Sequence, residues 1–321
     1  MTVTGSTEAT GGTGQRTRSA GRPRVGVGDR RRRRLRDGQW WVGLLFLAPG
    51  LLSLVLLRLA PAVAAIGDSF RRVSLDGTGQ SRWVGWENYA SLVANDQFDG
   101  VLLTTLKFIV VVNPVQVVLA LALAVVLSER VRGVLVVRML VFLPVAAPAA
   151  VATLVWGIAF QPEGPVNAML TGAGLPRQPF LTSTSQALWC IVVLLSWVGL
   201  GYWTMFLIAG IQDIPRSLYE AAALDGAGWW TTLWHVTLPS MRRTLAFVLV
   251  ADTVANFLTF APIQILTDGG PQDSTRLVMF DIYDRAYNVG NINIAEAEVV
   301  LLLVVMVVIT AVQFRLISKE R

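Results

Sequence analysis

The sequence predicts an all-α polytopic membrane protein with six transmembrane helices. Of its 321 residues, 54% are hydrophobic and only 15% are charged, whereas charged residues make up about a quarter of ordinary soluble domains. Six apolar runs reach the length of about 20 residues that a helix needs to cross a bilayer. They lie near 42–66, 101–127, 134–160, 187–211, 243–266 and 295–317. Internal prolines should kink or locally open several of these helices, namely Pro49, Pro61, Pro114, Pro144 and Pro148.

Basic residues predict the orientation of the spans. Ten of the 27 Lys and Arg residues precede Trp40, and the segment Arg30 to Arg36 directly precedes the first apolar run. The positive-inside rule then places the N-terminus in the cytoplasm, and six spans bring the C-terminus back there. The loop 212–242 is cytoplasmic in this topology, while the loops predicted to face outward are rich in acidic residues.

The first 38 residues differ in composition from the rest of the chain. Residues 1–38 are rich in Gly, Ser, Thr and Arg, and such a segment cannot bury enough apolar surface to fold. We therefore expect a disordered, basic cytoplasmic tail, followed by a membrane domain over 39–321. A secretory signal peptide is the alternative, but the run from Trp41 to Ile66 exceeds the usual apolar region of about 7 to 15 residues.

Several classes of site are excluded by residue counts. One cysteine, Cys190, and one histidine, His235, cannot form a cysteine-based zinc site or an HExxH pair. The two lysines, Lys107 and Lys319, do not follow glycine, so the chain has no P-loop for ATP. We expect no metal and no cofactor on this chain. The net charge of +6 is concentrated before the first span, which indicates topology rather than nucleic-acid binding.

The segment from Ser217 to Pro239 is polar and lies between two apolar runs. Ser217 and Glu220 have the spacing of a capping box, which predicts that a helix begins at about Leu218. Gly226 should end this helix in the left-handed conformation. A second short helix is expected over Trp229 to His235, ended by Pro239 because Leu238 before it is disfavoured in the α region.

This segment resembles the EAA loop of permease subunits of ATP-binding-cassette importers. The resemblance implies a type I transmembrane domain with a cytoplasmic coupling helix, seated in a groove of a separate ATPase subunit. The implied coupling residues are Glu220, Ala221, Ala222, Asp225, Gly226, Leu238 and Pro239. Leu218, Ala221, Ala222 and Asp225 share one helical face, on which small alanines allow close approach. The alternative is an interfacial helix on the bilayer surface, anchored by Trp229, Trp230 and Trp234.

Two predicted outer segments resemble sugar permeases of the maltose and glycerol-3-phosphate type. They are Trp83 to Tyr89 and Thr267 to Pro271; turn chemistry alone also explains the Gly-Pro clusters. The segment Asn291 to Glu298 departs from that family, which usually has Gly-aromatic-Ala-Ser-Ala there. The resemblance implies a multi-pass permease of the bacterial cell membrane, importing a sugar, a polyol or a sugar phosphate. Its implied partners are a second permease in a heterodimer, two ATP-binding subunits and an extracytoplasmic solute-binding protein.

Polar residues inside the spans are candidates for a substrate path, because polar side chains within a bilayer tend to face a cavity or another helix. Asp252 and Asn256 lie four residues apart and share a face of the fifth span. The other candidates are Thr259, Gln264, Asn113, Gln116, Ser196 and Trp197. Joining helices to one another is the alternative role for each of them. We expect Trp156 and Trp203 to be anchors at the membrane interface.

Two other classes of function are weighed against an importer subunit. An intramembrane enzyme needs paired catalytic groups at membrane depth, and Asp252 is the only acid predicted well inside a span, without a Gly-x-Ser-x-Gly motif. A self-contained channel or carrier leaves the EAA-like spacing unexplained. The sequence therefore favours a transport subunit that is not itself an enzyme.

Overall fold

The structure is a computed structural model that describes residues 40–73, 81–129 and 133–318. The tail over 1–38 and the C-terminal residues 319–321 lie outside the described residues. The described residues divide into two compact units, one that ends at Ala60 and one that begins at Pro61. The described part of the first unit is a helix α1 (Trp40–Leu54), which contains Pro49, and a π-helical turn (Val55–Leu59).

The second unit contains the remaining helices, the first of which begins at Ala60, the last residue of the first unit. In chain order they are α2 (Ala60–Asp68), α3 (Glu87–Val93), α4 (Asp96–Ser128), α5 (Val134–Phe142), α6 (Ala149–Ala159), α7 (Pro165–Gly172), α8 (Ala187–Gln212), α9 (Arg216–Leu224), α10 (Trp229–Thr232), α11 (Leu238–Ser240), α12 (Arg242–Phe257), α13 (Ala261–Leu266), α14 (Val278–Tyr283) and α15 (Ile292–Ser318). Short 3₁₀ turns lie at Leu143–Ala146 and Phe180–Thr182, and π-helical turns at Leu233–Thr237 and Asp284–Asn288.

Five helical stretches of the described chain are long and apolar enough to cross a bilayer. They are Gly43–Asp68, Asp96–Ser128, Ala187–Gln212, Arg242–Leu266 and Ile292–Leu316. The predicted span near 134–160 is instead a pair, Val134–Ala146 and Ala149–Ala159, bent by 100°. Ala147 and Pro148 are both extended at the break, because the residue before a proline is disfavoured in the α region. The prediction of several proline breaks thus holds here, whereas α4 continues through Pro114.

The core of the second unit lies between α4, α8, α12 and α15. One cluster of buried side chains is centred on Phe108, Phe257 and Phe280, and a second is centred on Ala120, Leu207 and Met241. Membrane helices associate mainly through close van der Waals packing, because the surrounding lipid is as apolar as their side chains. Small residues allow two helices to approach closely enough for this packing. Gly201 of α8 shows this, since a Cβ there would lie 2.3 Å from the carbonyl oxygen of Val141 in α5.

A small hairpin follows α2. Strands β1 (Arg71–Val73) and β2 (Ser81–Trp83) pair antiparallel with Arg71 opposite Trp83. The Trp83 to Tyr89 segment continues into α3, where Asn88 donates hydrogen bonds of 2.8 Å to the carbonyls of Ser69 and Arg71. Phe70 packs against Trp83, Trp86 and Tyr89 with ring centroids 5.2 to 5.5 Å apart. This segment therefore has a structural role at the end of the first span.

Candidate functional sites

The loop 213–241 begins with helix α9, and its start differs from the prediction. Pro215 is the last non-helical residue, with φ −57° and ψ 130°, and the helix begins at Arg216 rather than Leu218. Ser217 is therefore already inside the first turn, whereas an N-cap residue must have a non-helical backbone. No side-chain hydrogen bond caps α9, so the predicted capping box of Ser217 and Glu220 is wrong.

The end of α9 agrees with the prediction. Gly226 has a φ of +72°, the left-handed conformation that glycine adopts without a steric penalty. The N–H of Ala227 donates to the carbonyl of Ala222 at 2.9 Å, and that of Gly226 to Ala223 at 3.1 Å. These two bonds form a Schellman motif, which satisfies carbonyls at the helix end and fixes the direction of the following chain.

The second helical stretch is longer than predicted. Helix α10, the π-helical turn Leu233–Thr237 and helix α11 follow one another without a break as far as Ser240. Leu238 is α-helical, with φ −60° and ψ −46°, so Pro239 does not end the helix. The widened turn explains this, because the N–H of Leu238 bonds to the carbonyl of Leu233, five residues back, and proline is accommodated where the regular ladder is already opened.

Burial separates two faces of α9. Glu220, Ala221 and Asp225 are exposed, whereas Ala222 is buried at 9% relative exposure. Tyr219 packs on the inner side with its hydroxyl 3.2 Å from Oγ1 of Thr237. The prediction that Ala222 belongs to the outward face is therefore wrong, because this alanine fits against the rest of the chain. Leu238 and Pro239 are half-buried.

Large apolar side chains are exposed on the same loop. Leu224 is 89% exposed, Trp230 is 67% exposed and Trp234 is 62% exposed. A surface of this kind on a folded segment indicates contact with a protein partner or with lipid. Both predicted roles, docking on a partner subunit and anchoring at the bilayer, are compatible with these exposures.

The predicted substrate-path residues of α4 and α12 meet in one buried cluster. Nδ2 of Asn256 lies 2.9 Å from Oδ1 of Asn113, 3.2 Å from Oε1 of Gln116 and 3.1 Å from Oδ1 of Asp252. All four residues are at most 5% exposed. Oδ2 of Asp252 is buried without a hydrogen-bond partner among the described residues.

Thr253 extends this cluster to a third helix, and sequence reasoning did not select it. Its Oγ1 accepts hydrogen bonds from Asn113 at 2.7 Å and from Gln313 of α15 at 2.9 Å. Its own hydroxyl donates to the carbonyl of Leu249. The spacing of Asn256 and Thr253 on α12 was a usable signal, since residues three apart are neighbours on a helix.

The other predicted path residues lie outside the cluster. Thr259 is buried beyond the end of α12, and Trp197 is 39% exposed and meets Trp156 edge to face at 5.8 Å. Gln264 bonds to Asp268 at 3.2 Å. Trp203 is only 6% exposed and belongs to the core around Leu207, so its prediction as an interface anchor is wrong.

A cluster of buried charges was missed by sequence analysis. Arg285 lies with its Nε 2.5 Å from Oδ2 of Asp281 and 3.2 Å from Oε2 of Glu298. Arg276 donates hydrogen bonds to the other oxygen of Asp281 and to Asp284. Asp281 and Glu298 are both 0% exposed. Asp252 stays the only acid well inside a candidate span among the described residues, since Glu298 is buried near the start of the last one, Ile292–Leu316.

Two described groups outside the spans have clearly shifted pKa values, and both belong to this cluster of charges. Burial alone would lower the pKa of Arg276, but the hydrogen bonds and charges of Asp284 and Asp281 raise it above its ordinary value. Burial would raise the pKa of Asp284, but hydrogen bonds from Asn288 and Arg276 and the arginine charges lower it. These charges bind the segment 276–288 to the first turns of α15. A signal was present in the sequence, since Asp281 and Arg285 have helical spacing and Glu298 interrupts an apolar run.

The described residues offer no group of three or more His, Cys, Asp or Glu side chains placed to hold a metal ion. The buried charges instead alternate in sign, and each arginine lies between two carboxylates.

Comparison with known proteins places these features in a family context. Residues 116–320 match the family described as "binding-protein-dependent transport system inner membrane component". The "sn-glycerol-3-phosphate transport system permease protein UgpA" of Agrobacterium fabrum is 32% identical over 278 residues, which are 86% of this chain and 94% of that protein. The "probable ABC transporter permease protein YesP" of Bacillus subtilis is 29% identical over 278 residues, covering 85% and 89%.

Solved structures show the same fold. A chain of a bacterial alginate ABC transporter, in complex with an alginate pentasaccharide-bound periplasmic protein, superposes with a TM-score of 0.75 at 22% identity, covering 85% of this chain and 92% of its own. A chain of a bacterial ABC transporter involved in the import of alginate gives a TM-score of 0.73 at 22% identity, covering 89% and 99%. The helical arrangement is thus shared well beyond sequence similarity.

Proposed function

Since the chain belongs to the family of binding-protein-dependent transport system inner membrane components, we propose that it forms one membrane half of an ATP-driven importer. Its relatives are permease proteins. This chain is likewise a permease subunit and not an enzyme. ATP hydrolysis then takes place on a separate subunit, since the sequence has no P-loop of its own. The second half is a second permease, and two ATP-binding subunits and an extracytoplasmic solute-binding protein complete the proposed assembly.

The observation that best supports coupling to an ATPase is the geometry of the loop 213–241. Glu220, Ala221 and Asp225 are exposed on α9, and the Schellman motif after Gly226 fixes where this helix points. The contact between Tyr219 and Thr237 joins α9 to the second helical stretch. A coupling element can shift a conformational equilibrium only if its contacts differ between the two states, so a rigid, exposed helix of this kind suits the role.

The proposed docking face is smaller than the sequence suggests. Ala222 is turned inward, so the exposed surface of α9 is formed by Glu220, Ala221 and Asp225, with Leu224 at its end. Gly226 sets the backbone, and Leu238 and Pro239 are half-buried and act by shaping the second helical stretch. We therefore assign direct contact with the ATPase to the exposed residues of α9. Gly226, Leu238 and Pro239 are assigned a positioning role.

The solute is proposed to be a sugar or a related polyol or sugar phosphate. Relatives named for glycerol-3-phosphate transport cover most of the chain at 31 to 32% identity. Within the spans, the hydrogen bonds among Asn113, Gln116 and Asn256 favour a role in joining helices. A path role is assigned to Asp252, because its Oδ2 is buried without a hydrogen-bond partner among the described residues and an unpaired buried acceptor gains from a hydroxyl donor.

Uptake by the reconstituted importer tests this function. The chain is co-expressed with its partner permease, ATPase and binding protein, and radiolabelled glycerol-3-phosphate, maltose and an amino acid are supplied to proteoliposomes. We expect ATP-dependent uptake of one of the first two and none of the amino acid. Uptake by the purified chain alone, without ATP, would instead identify a self-contained channel or carrier.

A further inference from the structure

Two cavities meet at one arginine near the loop 213–241. The larger, a cleft of about 1120 Å³, lies between the end of α4, the start of α5, the end of α8 and the loop. The smaller, a groove of about 280 Å³, runs between α5 and α8. Arg138 and Gln212 line both. The two cavities are therefore neighbours that share Arg138 and Gln212 as lining residues.

The linings of the two parts differ in chemistry. The cleft contains Arg138 and Arg216 together with the hydroxyl groups of Ser128 and Tyr219, and it includes one acid, Glu129. The groove is lined mainly by apolar side chains, which include Val141, Phe142, Met205 and Ile208. A polar, net basic cleft next to an apolar groove matches an amphipathic ligand with an anionic head.

Arg138 has an unusual setting for a cation. It lies in the apolar helix α5, and its Nε and Nη2 both donate to the carbonyl of Leu127 at the end of α4. Arginine carries more N–H donors than these bonds use, and no described carboxylate lies within ion-pair distance of Arg138. A basic side chain within a span calls for a counter-charge, and basic pockets between membrane helices bind lipid head groups.

We propose that this site binds a membrane phospholipid with an anionic head group. The phosphate lies in the cleft against Arg138 and Arg216, and an acyl chain lies in the groove between α5 and α8. Apolar side chains next to the groove, such as Met139 and Leu140, are 60% and 63% exposed, which fits a surface that faces lipid. A soluble partner or free phosphate would leave the groove unexplained. Since Arg216 and Tyr219 belong to α9, the lipid also touches the loop proposed to dock the ATPase.

The test measures lipid that remains bound to the purified full-length chain. The chain is purified from membranes in mild detergent, exchanged into nanodiscs of phosphatidylcholine with a small fraction of phosphatidylglycerol, and analysed by native mass spectrometry. Arg138→Gln removes the charge, Arg138→Lys keeps it, and Ala209→Trp fills the groove, which Ala209 lines. Val193→Trp is the matched control, because Val193 is an exposed residue of the same helix outside both cavities.

Wild type and Val193→Trp should retain phosphatidylglycerol in preference to phosphatidylcholine. A basic residue next to an anionic lipid contributes about 1 kcal/mol, so Arg138→Gln should retain phosphatidylglycerol about fivefold more weakly. Arg138→Lys should recover part of this retention. Ala209→Trp should lose the bound lipid without loss of charge, and it remains informative if Arg138→Gln fails to fold. Inorganic phosphate should not displace the lipid. Equal retention in wild type, Arg138→Gln and Ala209→Trp, or displacement by phosphate alone, would overturn the proposal, and neither result depends on the proposed transport function.

Discussion

The buried charges around Arg285 allow a prediction of unequal effects from its two partners. The buried cluster contains three carboxylates, Asp281, Asp284 and Glu298, and two guanidinium groups, Arg276 and Arg285. Arg285→Leu removes the cation next to two fully buried acids. Glu298→Gln changes a carboxyl group that lies next to Asp281 as well as Arg285, and it leaves Arg285 paired with Asp281. The arginine should therefore matter more than the glutamate.

The magnitudes follow from burial. Removing one member of a buried ion pair typically costs about 3 to 5 kcal/mol, because it leaves an uncompensated buried charge, and we expect this loss for Arg285→Leu. Neither oxygen of Glu298 has a hydrogen-bond partner among the described residues, and Arg285 keeps Asp281 as its partner after the change, so Glu298→Gln should cost about 1 kcal/mol or less. The double variant should recover roughly 0.5 to 3 kcal/mol relative to the sum of the single changes.

Equilibrium unfolding of the purified chain in mixed micelles, followed by circular dichroism, measures these differences. The matched control is Arg177→Leu, since Arg177 and Glu163 form a 2.6 Å ion pair whose side chains are 59% and 78% exposed. An exposed pair contributes only about 0 to 1 kcal/mol. If Arg285→Leu destabilised the chain no more than Arg177→Leu, or if Glu298→Gln were the more damaging change, the charge argument would be refuted.

Two further predictions concern topology and pH. A cysteine at the exposed Gln272 should react with an impermeant thiol reagent on intact cells, whereas one at Gly228 should not, and buried Cys190 should give little background; labelling at 228 would contradict the orientation. The lowered pKa of Asp284 means that its contribution to stability is fully present above its unfolded pKa near 3.8 and is lost as the pH falls through its lower folded value. The stability difference between wild type and Asp284→Asn should therefore persist at pH 5 and shrink at pH 3, and a difference that is already absent at pH 5 would contradict this assignment.

The membrane spans could be predicted from sequence because their signal is collective. A run of about 20 apolar residues leaves few alternatives to a membrane helix, and five of the six predicted spans are single long helices among the described residues, while the one near 134–160 is a bent pair. The left-handed Gly226 was equally predictable, because only glycine adopts that conformation freely. These features depend on residue type and local spacing alone.

The failures depend on contacts that spacing does not encode. The capping box failed because Pro215 starts the helix two residues early, and Pro239 failed to end its helix because a π-helical turn precedes it. Ala222 was placed on the outer face because helical periodicity groups it with Ala221 but does not say which way the helix is turned. The Arg285 and Glu298 pair joins residues from two elements separated by a turn, which no single helical period reveals.

Because the predicted capping box is absent, the substitution Glu220→Ala no longer tests the stability of α9. Because Glu220 caps nothing in α9, Glu220→Ala should leave the helix intact and remove only an exposed charge from the proposed docking face. Gly226 offers a cleaner test, since a Cβ there meets no atom within 4 Å and the effect of a substitution is confined to the backbone. A β-branched residue in the left-handed conformation is strained by roughly 1 to 3 kcal/mol.

Solute-stimulated ATP hydrolysis by the reconstituted importer, compared between Gly226→Val and Gly228→Val, is the most direct test of coupling through the loop 213–241. Gly228 is the matched control, because it is also exposed, has no atom within 4 Å of an added Cβ, and has a φ of −72° that valine accepts. We expect Gly226→Val to insert normally but to lose stimulated hydrolysis and retention of the ATPase on co-purification, while Gly228→Val keeps both. Wild-type hydrolysis and retention in Gly226→Val would show that this loop is an interfacial helix and not the coupling element.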